Sequence, residues 1–315
     1  GQLIDINKID KPEFDASIKA KYEYATETKM SRFSVRNSRM GLSGNIIEPI
    51  SYRVQVELSN QGEFQILDLC ARIRPIPNLE ISFGQTSIPL FNSYIITPSQ
   101  LMFANRAFIG KYFTGTRDIG VTTSYKTNYL DIPFELNLGV FNGSTINDPI
   151  WTDKLSRAAR LIIGDMDGWR SSFKYYRYPL SNEKDYTFWG ADLRFGKENY
   201  KIETEIMNRY NRFTDTDRLS IYLQGAYAFP LNSKGAIKDI TPAIRWDAIG
   251  ENIKKSKFDA SRLTFGIAFG FSPKPFGSLI RFDYEYYFVD NPIAEFDRYP
   301  EMDSNKFTIE ILLIF

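Results

Sequence analysis

The sequence predicts an all-β fold: a transmembrane antiparallel β-barrel of about sixteen strands. Three observations point there. Large apolar residues recur at every second position along most of the chain, which is the strand period and not the helix period. The intervening phase is polar almost throughout, and no helical pattern of comparable length is present to cover it. The connections between the alternating segments are short on one rim and include long ones on the other.

The pattern opens at 14–25, where Phe14, Ala16, Ile18, Ala20, Tyr22 and Tyr24 share one phase, and continues through 30–40. Tyr52/Val54/Val56/Leu58, residues 63–74 and Leu79/Ile81/Phe83 follow, then Ile119/Val121/Thr123/Tyr125 and Ile132/Phe134/Leu136/Leu138/Val140. Segments 157–164, 170–178, 186–196 and 199–207 fill the middle of the chain. After them come Leu219 to Phe229, Ile240 to Trp246, Leu263 to Phe271, Ile280 to Phe288, and the ending "NKFTIEILLIF", where Phe307 to Phe315 alternate with Lys306, Thr308 and Glu310. In the clearest segments the apolar phase holds no Asp, Glu, Lys or Arg. The opposite phase carries Arg53, Glu57, Glu80, Asp131, Glu135, Arg245, Asp247, Arg281, Asp283 and Glu285. One face is expected to be dry and the other wet.

A soluble β-sandwich with its dry faces turned inward has the same period. The connections discriminate. After even-numbered segments they are mostly short: Pro75 to Asn78, Lys126 to Tyr129, Asp165 to Trp169, Gly196 to Asn199 and Ser272 to Gly277. After odd-numbered segments come Ser87 to Thr116, Asn142 to Ser156, Gly250 to Ala260 and Asp290 to Ser304. Short turns on one rim, long loops on the other and rings such as Tyr125, Tyr227, Trp246 and Tyr286 near the ends of apolar runs mark a barrel in lipid. The whole chain, 1–315, then reads as one barrel domain, with an amino-terminal segment at 1–13 and a long third loop at 87–116. The lack of a visible cleavable signal at Gly1 is what a mature, processed chain would show.

Composition narrows the chemistry. There is no histidine and only one cysteine, Cys70, so Ser-His and Cys-His pairs, His-ligated zinc and multi-thiolate sites are unavailable. No enzymatic activity, cofactor or metal is expected; "DMDG" (165–168) and "DTD" (215–217) read as polar turns, not calcium sites. A net charge of +1 gives no whole-chain field for nucleic acid. A barrel of this size leaves an aqueous channel unless it is plugged. The third loop, "SIPLFNSYIITPSQLMFANRAFIGKYFTGT", is more apolar than a solvated loop needs to be. It is expected to fold into the pore and narrow it, with Arg106, Lys111 and Arg117 as its charges; packing on a neighbouring subunit or capping the mouth are the alternatives.

Several stretches together resemble the phosphate-selective porins of the O and P type: "ILDLCARIRPIPNLEISFGQTSIPLF" (66–91), "NRAF" (105–108), "RDIGV" (117–121), "GVFNG" (139–143), "AIRWD" (243–247) and the terminal Phe315, in matching order. The resemblance implies a trimeric, sixteen-stranded channel of the Gram-negative outer membrane, embedded in its lipid bilayer and passing small hydrophilic or anionic solutes by diffusion. It also implies that the terminal Phe serves barrel assembly. Where family members often place a Lys three residues after the Gly of "GQ", this chain has Gly84, Gln85, Thr86 and Ser87. A basic track of Arg32, Arg36, Arg53, Arg72 and Arg74 facing Arg106 is expected to line the passage, unless these arginines pair with Asp68, Glu57 and Glu80 across strands. The rival function is a closed barrel acting as anchor, adhesin or structural partner of another membrane component.

Overall fold

The computed structural model describes residues 11–59, 62–92, 96–144, 146–165, 167–179, 184–232, 234–252, 257–291 and 304–315. Of the amino-terminal segment expected at 1–13, only 11–13 fall within this set. The strands are β1 (Glu13–Ala25), β2 (Met30–Ser34 and Arg39–Ile47), β3 (Ile50–Leu58), β4 (Phe64–Ile76), β5 (Leu79–Ser87), β6 (Arg117–Tyr129), β7 (Ile132–Phe141) and β8 (Ser156–Gly164). They continue as β9 (Gly168–Pro179), β10 (Asp185–Lys197), β11 (Tyr200–Asn211), β12 (Thr216–Tyr227 and Phe229–Pro230), β13 (Asp239–Glu251), β14 (Ala260–Gly270), β15 (Leu279–Val289) and β16 (Lys306–Ile314).

Each strand pairs antiparallel with its sequence neighbours, and β1 pairs with β16 from Ser17↔Ile314 to Ala25↔Lys306, so the sheet closes. Two strands are interrupted. Both pieces of β2 pair with β1, and at the gap the Ser38 hydroxyl accepts from the Lys19 backbone N–H at 2.9 Å. Residues 30–40, expected as one strand, are therefore two. Both pieces of β12 pair with β13. Closure removes the sheet edges that lipid could not solvate.

The period of two sorts the faces as expected. Phe83, Leu136, Leu193, Leu223, Phe265 and Ile311 point outward and are exposed, whereas Lys19, Asp192, Glu205, Arg245, Asp283 and Glu310 point inward and are buried. The short rim has two-residue turns at 48–49, 77–78, 130–131 and 198–199, but also eight-residue connections at 231–238 and 271–278. The turn expected at Lys126 to Tyr129 lies further on. Strand β6 runs to Tyr129, and Leu130 and Asp131 turn the chain with φ of 48° and 63°, the left-handed pair that a tight hairpin requires.

Candidate functional site

The third loop, 88–116, holds a short 3₁₀ turn (Pro98–Gln100) and one helical turn, α1 (Ile109–Tyr112). It packs within the barrel. Its Ile88, Leu90, Phe91, Phe108, Ile109, Tyr112 and Phe113 are buried in one cluster with the inward-pointing Phe141, Tyr176, Tyr178, Phe188, Met207, Tyr222, Ile249 and Tyr287. At roughly 1.5–3 kcal/mol for each large apolar side chain buried, this cluster is a strong hold on the loop. It also modifies the expectation of a uniformly wet interior: towards the long-loop rim, Phe141, Tyr176, Tyr178, Phe188, Tyr222 and Tyr287 stand in the inward phase among charged residues such as Arg218, Asp247 and Arg262.

Irregular backbone at membrane depth persists only where protein or water satisfies its N–H and C=O groups. Here charged wall residues do so. From β15, Arg281 donates to the Leu101 carbonyl (2.7 Å) and Asp283 accepts from the Ala104 N–H (2.6 Å). From β13, Arg245 donates to the Asn105 carbonyl (3.0 Å) and Asp247 accepts from the Phe108 N–H (2.9 Å). Lys19 of β1 donates to the Ala104 carbonyl (2.7 Å), and Arg262 of β14 to the Arg106 carbonyl (2.9 Å). Arg262 is fully buried, grips Asp247 through two nitrogens (2.9 and 2.7 Å), reaches Glu285 (2.7 Å) and lies over the Phe108 ring. The two sequence stretches "NRAF" and "AIRWD" thus meet across the lumen.

The loop covers the β8–β16 side of the lumen and leaves a cavity of about 810 Å³ between itself and the early strands. Lys19, Lys21, Arg36, Arg106, Lys111 and Arg117 line it, with Glu57 as the one carboxylate among its described lining residues. The Arg106 guanidinium donates to the Ile96 carbonyl at 2.7 Å, an acceptor it shares with Arg39 at 3.2 Å. Burial draws Arg106 below the ordinary arginine range while Glu57 opposes the shift; an arginine so placed remains a cation at any ordinary pH. Arg117 meets Asp68 at 3.1 Å, Lys19 meets Glu310 at 2.9 Å and Lys21 meets Glu23 at 2.9 Å. Those three carboxylates are not among the cavity's described lining residues.

Of the residues singled out in the sequence, Arg106, Lys111, Arg117 and Arg36 come together at this cavity, and Arg32, Arg53, Arg72 and Arg74 do not. Arg32 bonds Glu23 across β1 and β2 (2.8 Å), Arg53 bonds Asp15, and Arg74 bonds Glu80 (2.9 Å) with Arg72 beside it at 3.9 Å. Lys19 and Lys21 were the cations passed over. Their signal was the wet phase of "SIKAKYEY", in which Lys19, Lys21 and Glu23 follow one another on the inward face.

The fold and site define a class: a closed sixteen-stranded transmembrane barrel with its third loop packed in the lumen. Solved structures share this fold over nearly their whole length. The outer membrane channel DcaP of Acinetobacter baumannii superposes with a TM-score of 0.65 at 12% identity, covering 99% of both chains. An anion-selective porin from Comamonas acidovorans gives 0.62 at 11%, covering 97% of this chain and 99% of the other. OmpT of Vibrio cholerae, an outer membrane protein in its trimer form, gives 0.62 at 10% over 97% and 99%. No protein-family model and no curated protein matches the sequence.

Proposed function

We propose that the chain is an outer-membrane porin, a homotrimer in the lipid bilayer whose protomers let small hydrophilic solutes diffuse through the cavity beside the third loop. In this reading it is a channel and not an enzyme, with anions preferred and phosphate among them. The observation that carries the preference is the cavity lining, where, among the described residues, six cations face one carboxylate. Asp68, Glu310 and Glu23 pair with lining cations but are not themselves among the described lining residues. Because Coulomb energy falls with distance, the potential along the passage is positive even where each cation has a partner. A narrow low-dielectric wall strengthens that field, and weak, multiple contacts let the solute leave as readily as it entered.

One observation favours the rival, a closed barrel serving as an anchor or partner: the loop and buried ion pairs fill the β8–β16 side. Reconstitution in a planar bilayer separates the two. The expected result is stepwise conductance and, in a potassium chloride gradient, a reversal potential of the sign for chloride preference, reduced by added phosphate. No conductance would sink the pore in favour of the closed barrel; a cation-selective potential would overturn the anion preference alone.

A further inference from the structure

Gln85, in the "GQ" stretch, is buried and hydrogen-bonded through both its amide nitrogen and its amide oxygen. Its amide nitrogen donates to the Ile66 carbonyl at 2.6 Å, to the Leu67 carbonyl at 3.1 Å and to the Asn147 side-chain oxygen at 3.1 Å. Its amide oxygen accepts from the Asn147 backbone N–H at 2.7 Å. The first two acceptors have a structural origin. Strand β4 carries one extra residue against β3, since Gln55 pairs with Asp68 but Val56 pairs with Ile66. Such a bulge leaves the extra residue out of the ladder and re-aims the side chains around it. Leu67, the extra residue, and Asp68 beside it both serve the interior: Leu67 lines the cavity and Asp68 holds Arg117. Across the connection, Ile146 lines the same cavity next to Asn147.

We propose that Gln85 is the positioning residue of the pore mouth, fastening the β4 bulge and the 142–155 loop together so that Leu67 and Ile146 form an apolar lip beside the basic side chains of the passage. The channel consequence rests on the porin reading; the fastening does not. The side chain suits the task because only an amide offers two N–H donors and an acceptor on one arm. A carboxylate of the same length would keep the bond from Asn147 N–H but set negative charge against three oxygens. Gly84 provides the approach: its φ is +127°, and a Cβ there would lie 2.3 Å from the Leu69 carbonyl oxygen.

The test places a thiol at Ile146→Cys in a Cys70→Ser background and follows its reaction with a bulky methanethiosulfonate. With Gln85 intact, coupling is slow, and the coupled protein conducts at about half its former level or less. With Gln85→Glu, coupling accelerates by about tenfold and the fall in conductance disappears, although mass measurement shows the adduct. Equal coupling rates in the two backgrounds, or equal block, would overturn the proposal. If Gln85→Glu fails to assemble, Asn147→Gly removes the side-chain acceptor without altering the barrel wall, and the same comparison decides. A barrel that never conducts defeats the porin reading alone, because the coupling rate still reports whether Gln85 holds the loop.

Discussion

Arg106 sits where the loop, the wall and the cavity meet, its backbone carbonyl held by Arg262 and its guanidinium by the Ile96 carbonyl. Arg106→Ala should therefore lower the anion-to-cation permeability ratio by about twofold or more, read from reversal potentials. Arg74→Ala, half-exposed beside Glu80 on the short rim, should leave it unchanged. The difference between these arginines was only partly legible. Residue type and nearness to the loop single out Arg106, Lys111 and Arg117, which line the cavity although Arg117 already belongs to β6, but which wall arginines face the passage depends on cross-strand register. Arg32 stands opposite Glu23, and Arg53 reaches Asp15 past Gly41, where a Cβ would lie 2.4 Å from the Arg53 Nη2. Neither pairing can be read from alternation, which says inward or outward and nothing of what lies alongside.

At the scale of elements, the third loop was legible as a segment too apolar for solvent, whereas the surface that receives it was not. Tyr176, Tyr178, Phe188 and Tyr222 occupy the inward phase, but they lie in strands whose outward phase is also apolar or aromatic, so a face count by polarity assigns them nothing. The charged anchors were visible as a wet face, and their job of satisfying loop backbone was not. Replacing the fully buried Arg262 by Met should expose the distinction. Asp247, Glu285 and the Arg106 carbonyl would all lose a donor, at a cost of about 3–5 kcal/mol for a broken buried pair. The barrel ladder is untouched, so the loss should appear as faster proteolysis within 88–116 and larger, noisier conductance steps. A protein that keeps its protease resistance would show that the aromatic cluster alone holds the loop.

For the whole molecule, weakly specific stretches gain meaning by meeting. Asp118 of "RDIGV" accepts from the Gly143 N–H of "GVFNG" at 2.8 Å, as "NRAF" meets "AIRWD". The order of such stretches along the chain therefore reflects one closed ladder that brings them face to face. Closure also turns the period of two into a solvent test. Val54 points outward and pairs with Leu69, while the next residue, Gln55, points inward and pairs with Asp68. An arginine at a lipid-facing midplane position costs about 2–4 kcal/mol, and one in the lumen beside a carboxylate costs little. Val54→Arg should therefore lower the urea midpoint for folding into lipid vesicles well below that of Gln55→Arg, although the substitutions are adjacent and add the same charge. In a soluble sandwich with its dry face inward, Val54→Arg would abolish folding in plain buffer and vesicles would be irrelevant. Folding that requires the bilayer, together with a penalty confined to the outward phase, would tie the alternation to lipid.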